Sequence, residues 1–349
     1  MRSTYLFACI VACAACSSST PSQPTPKSDA GIVDAAKDAT DSGNVTPDAG
    51  PTCGKECDGI AVQNFYAGDS THDFTVTADA WKDYGDDVDG KTTTSSSNDV
   101  CQRASGAPSS SQTDGTAGID NSFGAGFIPL VQSLTGNPDL SLTGTTAIGK
   151  GKASTSLFVI DGTGTGTAKT RFFSGLPLGK TPLFDGTDEW PVADESVTDG
   201  DLQKPISLFP ASTLDGTTFD TGPNATGPSG SVLVQIEIST FRIPIRKMRV
   251  RGTVTADGVT NGIISGVIRT DELIGEMKRV LGTVNTSFCQ GSQLAAITQQ
   301  IKQLQDIMDD GTQDSSKSCN AVSVGLGFDG KKIRLGAVTP TPTTPNPCQ

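Results

Sequence analysis

Between Ser231 and Val250 the apolar residues alternate, and the parity of the alternation changes twice. Val232, Val234, Ile236 and Ile238 fall on even positions, Phe241, Ile243 and Ile245 on odd ones, and Met248 and Val250 on even ones again. A period of two is the signature of a strand with one buried face. A slip of one residue turns that whole face outward, so each change of parity needs a structural device. The first, near Ser239-Thr240, reads as a tight hairpin. The second, near Arg246-Lys247, reads as a β-bulge that absorbs one extra residue. Further strands are expected at Ser156–Asp161, Ala168–Ser174, Ile263–Arg269, Ala321–Phe328 and Lys332–Val338, with turns at Asp257-Gly258 and Asn261-Gly262.

Helical signals are fewer. Asp271–Gly282 has Thr270 as a cap candidate, acids in its first turn, bases late, and Gly282 as a stop. Over 292–310, Leu294, Ile297, Ile301, Leu304 and Met308 form one apolar stripe at helical spacing. Such a stripe fits a helix lying on a sheet; exposed, it would fit an assembly subunit. Phe127–Leu134 adds a short helix. The expected fold is mainly β, a β-sandwich or jelly-roll-like body with two or three helical insertions, following a disordered tether.

Charge and composition exclude several classes. The chain of 349 residues carries a net charge of −12, which argues against a nucleic-acid partner. Its 40 glycines lack the strict period of a collagen. Repeated apolar runs of about 20 residues, required by a polytopic membrane protein, are missing from the sequence. A single histidine removes every mechanism that needs two.

The first 16 residues, MRSTYLFACIVACAAC, place one Arg before an apolar run and small residues before a cysteine. This is a secretion signal. Its end resembles the lipobox of bacterial lipoproteins, in which the cysteine takes the lipid and becomes the first mature residue. Cys16 is the expected attachment site and Cys13 its rival. Parity favours Cys16: of nine cysteines, removing Cys9, Cys13 and Cys16 leaves an even six that can pair. Ser17 is compatible with sorting to the outer membrane. Residues 17–52 contain no Leu, Phe, Trp, Tyr or Met and hold five prolines among Ser, Thr, Ala and Asp. Such a segment cannot offset its chain entropy by burial and reads as a disordered tether. A single β-rich extracytoplasmic domain is then expected over 53–338, with a Thr-Pro tail over 339–349.

The six body cysteines are Cys53, Cys57, Cys101, Cys289, Cys319 and Cys348. Export through an oxidising compartment makes disulfides the default, and six cysteines allow fifteen pairings. Cys289 and Cys319 flank the expected helix at 292–310, so a bridge between them would close that excursion. Cys348 could pin the tail. Cys53 and Cys57 have ligand-like spacing but no second cysteine pair or histidine nearby, which argues against zinc.

Candidate chemistry is sparse. Gly68–Asp79 resembles a degenerate EF-hand or dockerin-type calcium loop, with Asp69, Thr71 and Asp73 at the first, third and fifth positions and Asp79 near the end. Phe74 stands where the turn glycine belongs, and Asp79 falls one place early. A second acidic loop, Asp83–Asp89, follows; taken against Gly90 it has no carboxylate at its first position. The expected cofactor is at most a structural calcium. His72 lies inside the first acidic loop, away from any nucleophile-elbow pattern, so no catalytic residue is assigned. Gly162–Gly166 follows a strand but lacks the spaced third glycine, the following helix and the motif lysine of a phosphate loop, and reads as a hairpin turn. Arg242, Arg246, Lys247, Arg249 and Arg251 split between two faces and read as a solvated strand edge or an anionic glycan site. Trp190, among Asp185, Asp188, Glu189, Asp194, Glu195, Asp199 and Asp201, is the candidate ligand-binding residue, since an indole can stack on a sugar and glycosidases need paired carboxylates.

The segments AWKDYGDDVDG (80–90), DGTAGIDNSFG (114–124), FDGTDEWPV (184–192), TNGIISGVI (260–268) and DGTQDSSKSCNAVSVGLGF (310–328) resemble predicted surface lipoproteins of myxobacteria. Those share the lipobox, the Asp-Ala-Gly tether and a body of this length. The resemblance implies export and one integral fold, and brings no activity with it. The expectation is a non-enzymatic, outer-membrane-anchored surface lipoprotein. It is held to the membrane by its lipid and binds or scaffolds a glycan or protein partner. A carbohydrate-binding or glycoside-cleaving protein using carboxylates near Trp190 is the alternative.

Overall fold

The structure is a computed structural model that describes residues 57–348 except 138, 163–165, 224–229, 237–238 and 344–345. The lipobox cysteines, the 17–52 tether and Cys53 lie outside the described residues. The body is mainly β and sandwich-like. Its strands are β1 (Asp58–Tyr66), β2 (Thr155–Asp161), β3 (Gly166–Gly175), β4 (Glu189–Ala193), β5 (Val197–Thr198), β6 (Asp201–Pro205), β7 (Ser207–Asp215), β8 (Thr218–Asp220), β9 (Gly230–Ile236), β10 (Ser239–Thr255), β11 (Gly258–Arg269) and β12 (Ala321–Thr339). Four α-helices join them: α1 (Ile128–Thr135), α2 (Leu140–Gly149), α3 (Thr270–Val284) and α4 (Ser292–Lys302). A π-turn over Phe123–Phe127 leads into α1. Among the described residues, no helix is long and apolar enough to cross a membrane.

The strand pairings close on themselves. Antiparallel ladders run β12–β1, β1–β2, β2–β3, β3–β7, β7–β8, β8–β10, β10–β11 and β11–β12. Closure leaves few unpaired edges to recruit other chains. β4 branches from this circuit, pairing in parallel with the end of β12 and touching β3 at Gly175. The shared wall of β1, β2 and β3 is therefore apolar on both faces. Val62, Phe158 and Phe172 point into a large core with Phe209, Phe219 and Phe328. Their neighbours Ala61, Leu157 and Phe173 point the other way, into a smaller core with Trp190, Ile333 and Leu335. This explains why β2 and β3 read as near-continuous apolar runs, whereas β10 alternates.

Both devices implied by the 231–250 pattern are present. β9 and β10 form a hairpin with Ser239 opposite Ile236. The second parity change is a register break between Arg246 and Arg249, where Lys247 takes φ 52°. On either side, Ile243, Ile245, Met248 and Val250 are all buried. Asn261-Gly262 is not a turn: Asn261 has φ 50° at a register break inside β11. A Cβ on Gly262 would lie 2.4 Å from the Phe328 ring, so the glycine is there to seat that ring. The two strands expected after residue 321 are one strand, β12, because Gly330 stays in register with Val62 on one side and Val259 on the other.

The helices require three corrections. Thr270 does not cap α3: it is the first helical residue, directly after the end of β11, and no side-chain cap is made. Gly282 does not stop the helix, which runs on to Val284. The 292–310 segment is helical only to Lys302, after which Ile307 forms a bridge with Ala321. Its stripe is covered, since Ile297 and Ile301 are buried in the large core and Leu304 packs against it. That removes the exposed face an assembly role would need.

The expected Cys289–Cys319 disulfide is replaced by Cys101–Cys319 and Cys289–Cys348. The bridge of Ile307 to Ala321 already closes the 292–310 excursion, and the Cys319 amide donates to Gln102 O while the Gln102 amide donates to Lys317 O, which brings Cys319 beside Cys101. Cys57 is also disulfide-bonded. Gly282 has a role other than stopping α3: a Cβ there would lie 2.5 Å from Cys348 Sγ and 3.0 Å from Cys289 Sγ. Gly282→Val is therefore expected to block this bridge. Mass spectrometry after alkylation without reductant should find Cys289 and Cys348 labelled; an unlabelled pair would refute the packing.

Candidate metal centre

The Gly68–Asp79 loop does not converge on an ion. Asp69 is buried, and its carboxylate accepts the amides of Leu140 at 2.6 Å and Ser141 at 3.3 Å, the Ser141 hydroxyl, and Gln132 Nε2 at 3.1 Å. It is committed to the first-turn amides of α2, a site that favours negative charge. Thr71 and Asp73 bond to each other in a tight turn, with Phe74 at φ 60° between bridge partners Ser70 and Val76. The bonds from Thr71 and then Thr75 hold the Asp73 carboxyl below its usual range. Asp79 pairs with Lys82 at 2.7 Å. The calcium assignment to Asp69, Thr71, Asp73 and Asp79 is thus corrected: the turn that Phe74 makes closes on Thr71 and Thr75 instead of opening a cavity.

The carboxylates converge one loop later. Asp86 and Asp120 form an antiparallel bridge, with the Asp120 amide donating to Asp86 O at 3.0 Å. Asp86 faces β10 and β11, accepting from Arg251 at 2.6 Å and from the Ser265 hydroxyl. Beyond it, Asp87, Asp89 and Asp120 each offer a carboxylate oxygen, and these lie within 4.8 Å of one another. Such an all-oxygen trio can hold a metal ion of the hard class.

Each member is fixed. Asp120 is 3% exposed and accepts the amides of Val88 at 2.7 Å and Asp89 at 3.3 Å on Oδ2. Among the described residues, no donor reaches its Oδ1. Asp87 Oδ1 takes the amides of Gly90 at 2.7 Å and Lys91 at 3.1 Å. Asp89 takes the Lys91 amide at 2.8 Å and Gln313 Nε2 at 2.7 Å. Gly118, at φ 86°, lies against this group; a Cβ there would sit 3.3 Å from Asp87 Oδ2.

Among the described residues no base forms an ion pair with the trio, and Lys91 acts on Asp89 only through space. Lys91 gives its ammonium to Asp99 at 2.6 Å. Burial pushes the Asp120 carboxyl up to about 9, with the negative charges of Asp89, Asp306 and Asp114 adding to the effect. Burial also raises Asp89. It brings Asp114 to about 6, against the bonds that Thr93 donates. Repelling, desolvated carboxylates are what a bound cation relieves.

The other candidate residues are occupied elsewhere. Trp190 is fully buried, with its Nε1 donating to Leu176 O at 2.8 Å and its ring against Phe184. It cannot stack on a sugar. Two surface depressions, of about 210 Å³ and 550 Å³, do not include it. Asp188 is buried and accepts the amides of Leu183 and Phe184, Asp194 holds Thr341, and Glu195 pairs with Arg242 at 2.6 Å. The basic residues of β10 are not a solvated edge, because β10 is flanked by β11 on one side and by β8 and β9 elsewhere. Arg246 pairs with Glu272 at 2.6 Å, Arg249 with Asp220, and Arg251 with Asp86 at 2.6 Å. His72 is an exposed loop residue, its ring 4.5 Å from that of Tyr66.

The sequence matches no family profile, no curated protein and no solved structure. The centre therefore rests on its own geometry. Sequence reasoning reached Asp87 and Asp89 as part of an incomplete acidic loop. It missed Asp120, which arrives across a 30-residue excursion pinned by Cys101–Cys319. The Asp-Asn-Ser run at 120–122 carries no ligand spacing that could have flagged it.

Proposed function

We propose that this chain is an outer-membrane-anchored surface lipoprotein, lipidated at Cys16, whose body is a non-catalytic binding or scaffolding module stabilised by calcium at Asp87, Asp89 and Asp120. The observation that carries the calcium part is the convergence of three carboxylates with no base among them. Oxygen-only ligands and one exposed, one half-buried and one buried carboxylate suit a calcium ion that keeps part of its water shell. The anchor rests on the lipobox-like end of the first 16 residues. The scaffolding role is supported by the enclosure of Trp190 and the pairing of the surrounding acids, which leave the sugar-cleaving alternative without its aromatic platform.

Calcium at a hundredfold excess over its Kd should add about 2.7 kcal/mol to stability. For a body of this size that is a rise of about 4 °C in Tm. Differential scanning calorimetry of the chelated and calcium-loaded protein should show this rise, and Asp120→Asn should abolish it. An unchanged Tm at millimolar calcium would sink the calcium assignment. Incorporation of labelled fatty acid, lost in Cys16→Ala and kept in Cys13→Ala, tests the anchor.

A further inference from the structure

On one edge, β3 loses its strand partner over two residues, and a cavity forms beside the gap. β7 leaves β3 at Ser207, opposite Phe172, and β4 joins only at Gly175. Between those points the edge is bridged by a side chain: the Ser174 amide donates to Ser196 Oγ at 2.9 Å. The Ile206 amide donates to Ser196 O at 2.9 Å, which ties the far side of the gap to the same residue. The cavity has a volume of about 210 Å³, and its walls include Ser196, Ser207, Ile206, Glu195 and Arg242. Pockets for drug-sized ligands hold roughly 300–1,000 Å³, so an occupant here is a small molecule.

The polar groups of the cavity have bonding capacity to spare. Glu195 holds Arg242 by one edge of the guanidinium, taking Nε at 3.1 Å and Nη2 at 2.6 Å. Among the described residues nothing accepts from Nη1, so the Nη1–Nη2 edge is open to a second carboxylate. Ser207 is buried, and its hydroxyl bonds to no described residue. Ser196 Oγ accepts from Ser174 and keeps its own proton to donate. Charge balance narrows the ligand further. Arg242 lies in the field of three carboxylates, Glu195, Glu276 and Asp194. Glu276 is paired with Arg279 at 2.7 Å and Glu195 with Arg242, whereas Asp194 accepts only from Thr341 among the described residues. One negative charge is left over. It repels a plain carboxylate, and a plain amine makes no use of the open guanidinium edge. A zwitterion answers both. Ile206, 42% exposed, offers an apolar wall to its side chain.

We propose that this cavity binds a free aliphatic α-amino acid. Its carboxylate lies on the open edge of Arg242 and takes the hydroxyls of Ser196 and Ser207. Its ammonium sits beside Glu195 in the field of Asp194, and its side chain rests on Ile206. Glu195 has two tasks in this arrangement: it fixes the plane of the guanidinium and balances the ammonium. The site shares no residue with the calcium centre or the lipid anchor, so its failure leaves both of those readings standing.

The test is isothermal titration of the full chain, in detergent, with three probes built on one skeleton. Leucine carries both charges, isocaproate lacks the ammonium, and isopentylamine lacks the carboxylate. The wild type should bind one leucine, and each of the other two at least about tenfold more weakly, as the loss of a charge-assisted contact requires. Arg242→Lys keeps a charge for Glu195 but not the second edge, and should weaken leucine binding at least about tenfold. Ser207→Ala removes one hydroxyl without touching the ion pair, should weaken binding in the same direction, and carries the test should Arg242→Lys misfold. A wild type that binds no leucine at millimolar concentration overturns the proposal. So does an isocaproate affinity equal to that of leucine, which would make the site one for plain carboxylates. Unchanged leucine affinity in Ser207→Ala and in a folded Arg242→Lys places the binding elsewhere and overturns it too.

Discussion

Trp190→Ala should destabilise the body by about 3–5 kcal/mol, the cost of truncating a fully buried aromatic. Trp190 is 0% exposed and fills the smaller core between β3, β4 and β12. The fit is close: a Cβ on Gly175 would lie 2.9 Å from the ring, so that glycine exists to admit it. The loss includes the hydrogen bond to Leu176 O, whose carbonyl would lose its partner inside the core. Trp190→Phe keeps most of the ring and should cost less. Urea denaturation followed by far-UV circular dichroism gives the difference directly. Because the chain has two tryptophans, Trp81→Phe isolates the emission of Trp190. That emission should be blue-shifted in the folded state and move to the red on unfolding. A Trp190→Ala midpoint equal to wild type, or a red emission in the folded protein, would place the indole at the surface and restore the sugar-platform reading.

The case of Trp190 shows what local sequence can and cannot carry. Its acidic, Gly- and Pro-rich surroundings look like an exposed loop, yet Trp190, Val192 and Ala193 turn inward and even Asp188 is buried, because β4 is inserted beside β12 through a parallel pairing that starts at Glu189 and Arg334. That pairing joins residues far apart in the chain and leaves no periodic trace. Strands with one wet face were legible: the alternation of 231–250 located a hairpin, a bulge and four buried side chains. β1 was not, because DGIAVQNFY has partners on both edges and apolar neighbours on both faces, so its pattern blurs. The ion site failed for the same reason as β4. Asp69 satisfies a motif position but serves a helix end 71 residues away, at Leu140. Asp120 satisfies no motif and is carried to Asp87 by the fold. The Cys289–Cys319 pairing relied on sequence proximity, which the bridge of Ile307 to Ala321 makes unnecessary.

With calcium removed, the body should lose stability as pH rises from about 4 to 7, the reverse of ordinary acid denaturation. Asp306 is buried and its carboxyl is pushed up to about 7 by that burial, against the bonds from the Ser323 hydroxyl and amide, with the negative charge of Asp114 raising it further. An unfolded aspartate titrates near about 3.9. Below that value both states hold the proton, and the favourable burial of a neutral acid is fully present. Between the two values only the folded state holds it, so stability falls with a slope approaching about 1.4 kcal/mol per pH unit for this one group. Above the folded value both states are ionised and the contribution is gone. Asp114, raised to about 6, adds to the same trend. Asp306→Asn removes the ionisable group while keeping an acceptor for the Ser323 amide, so its urea midpoint in chelator should change less between pH 4 and 7 than that of the wild type. Equal slopes would mean that Asp306 does not carry a raised carboxyl. Saturating calcium should work against the trend, because the cation binds the ionised forms of Asp89 and Asp120 and its affinity therefore grows as they lose their protons. Stability in chelator and stability in calcium should accordingly diverge as pH rises, and the gap between the two curves measures the centre.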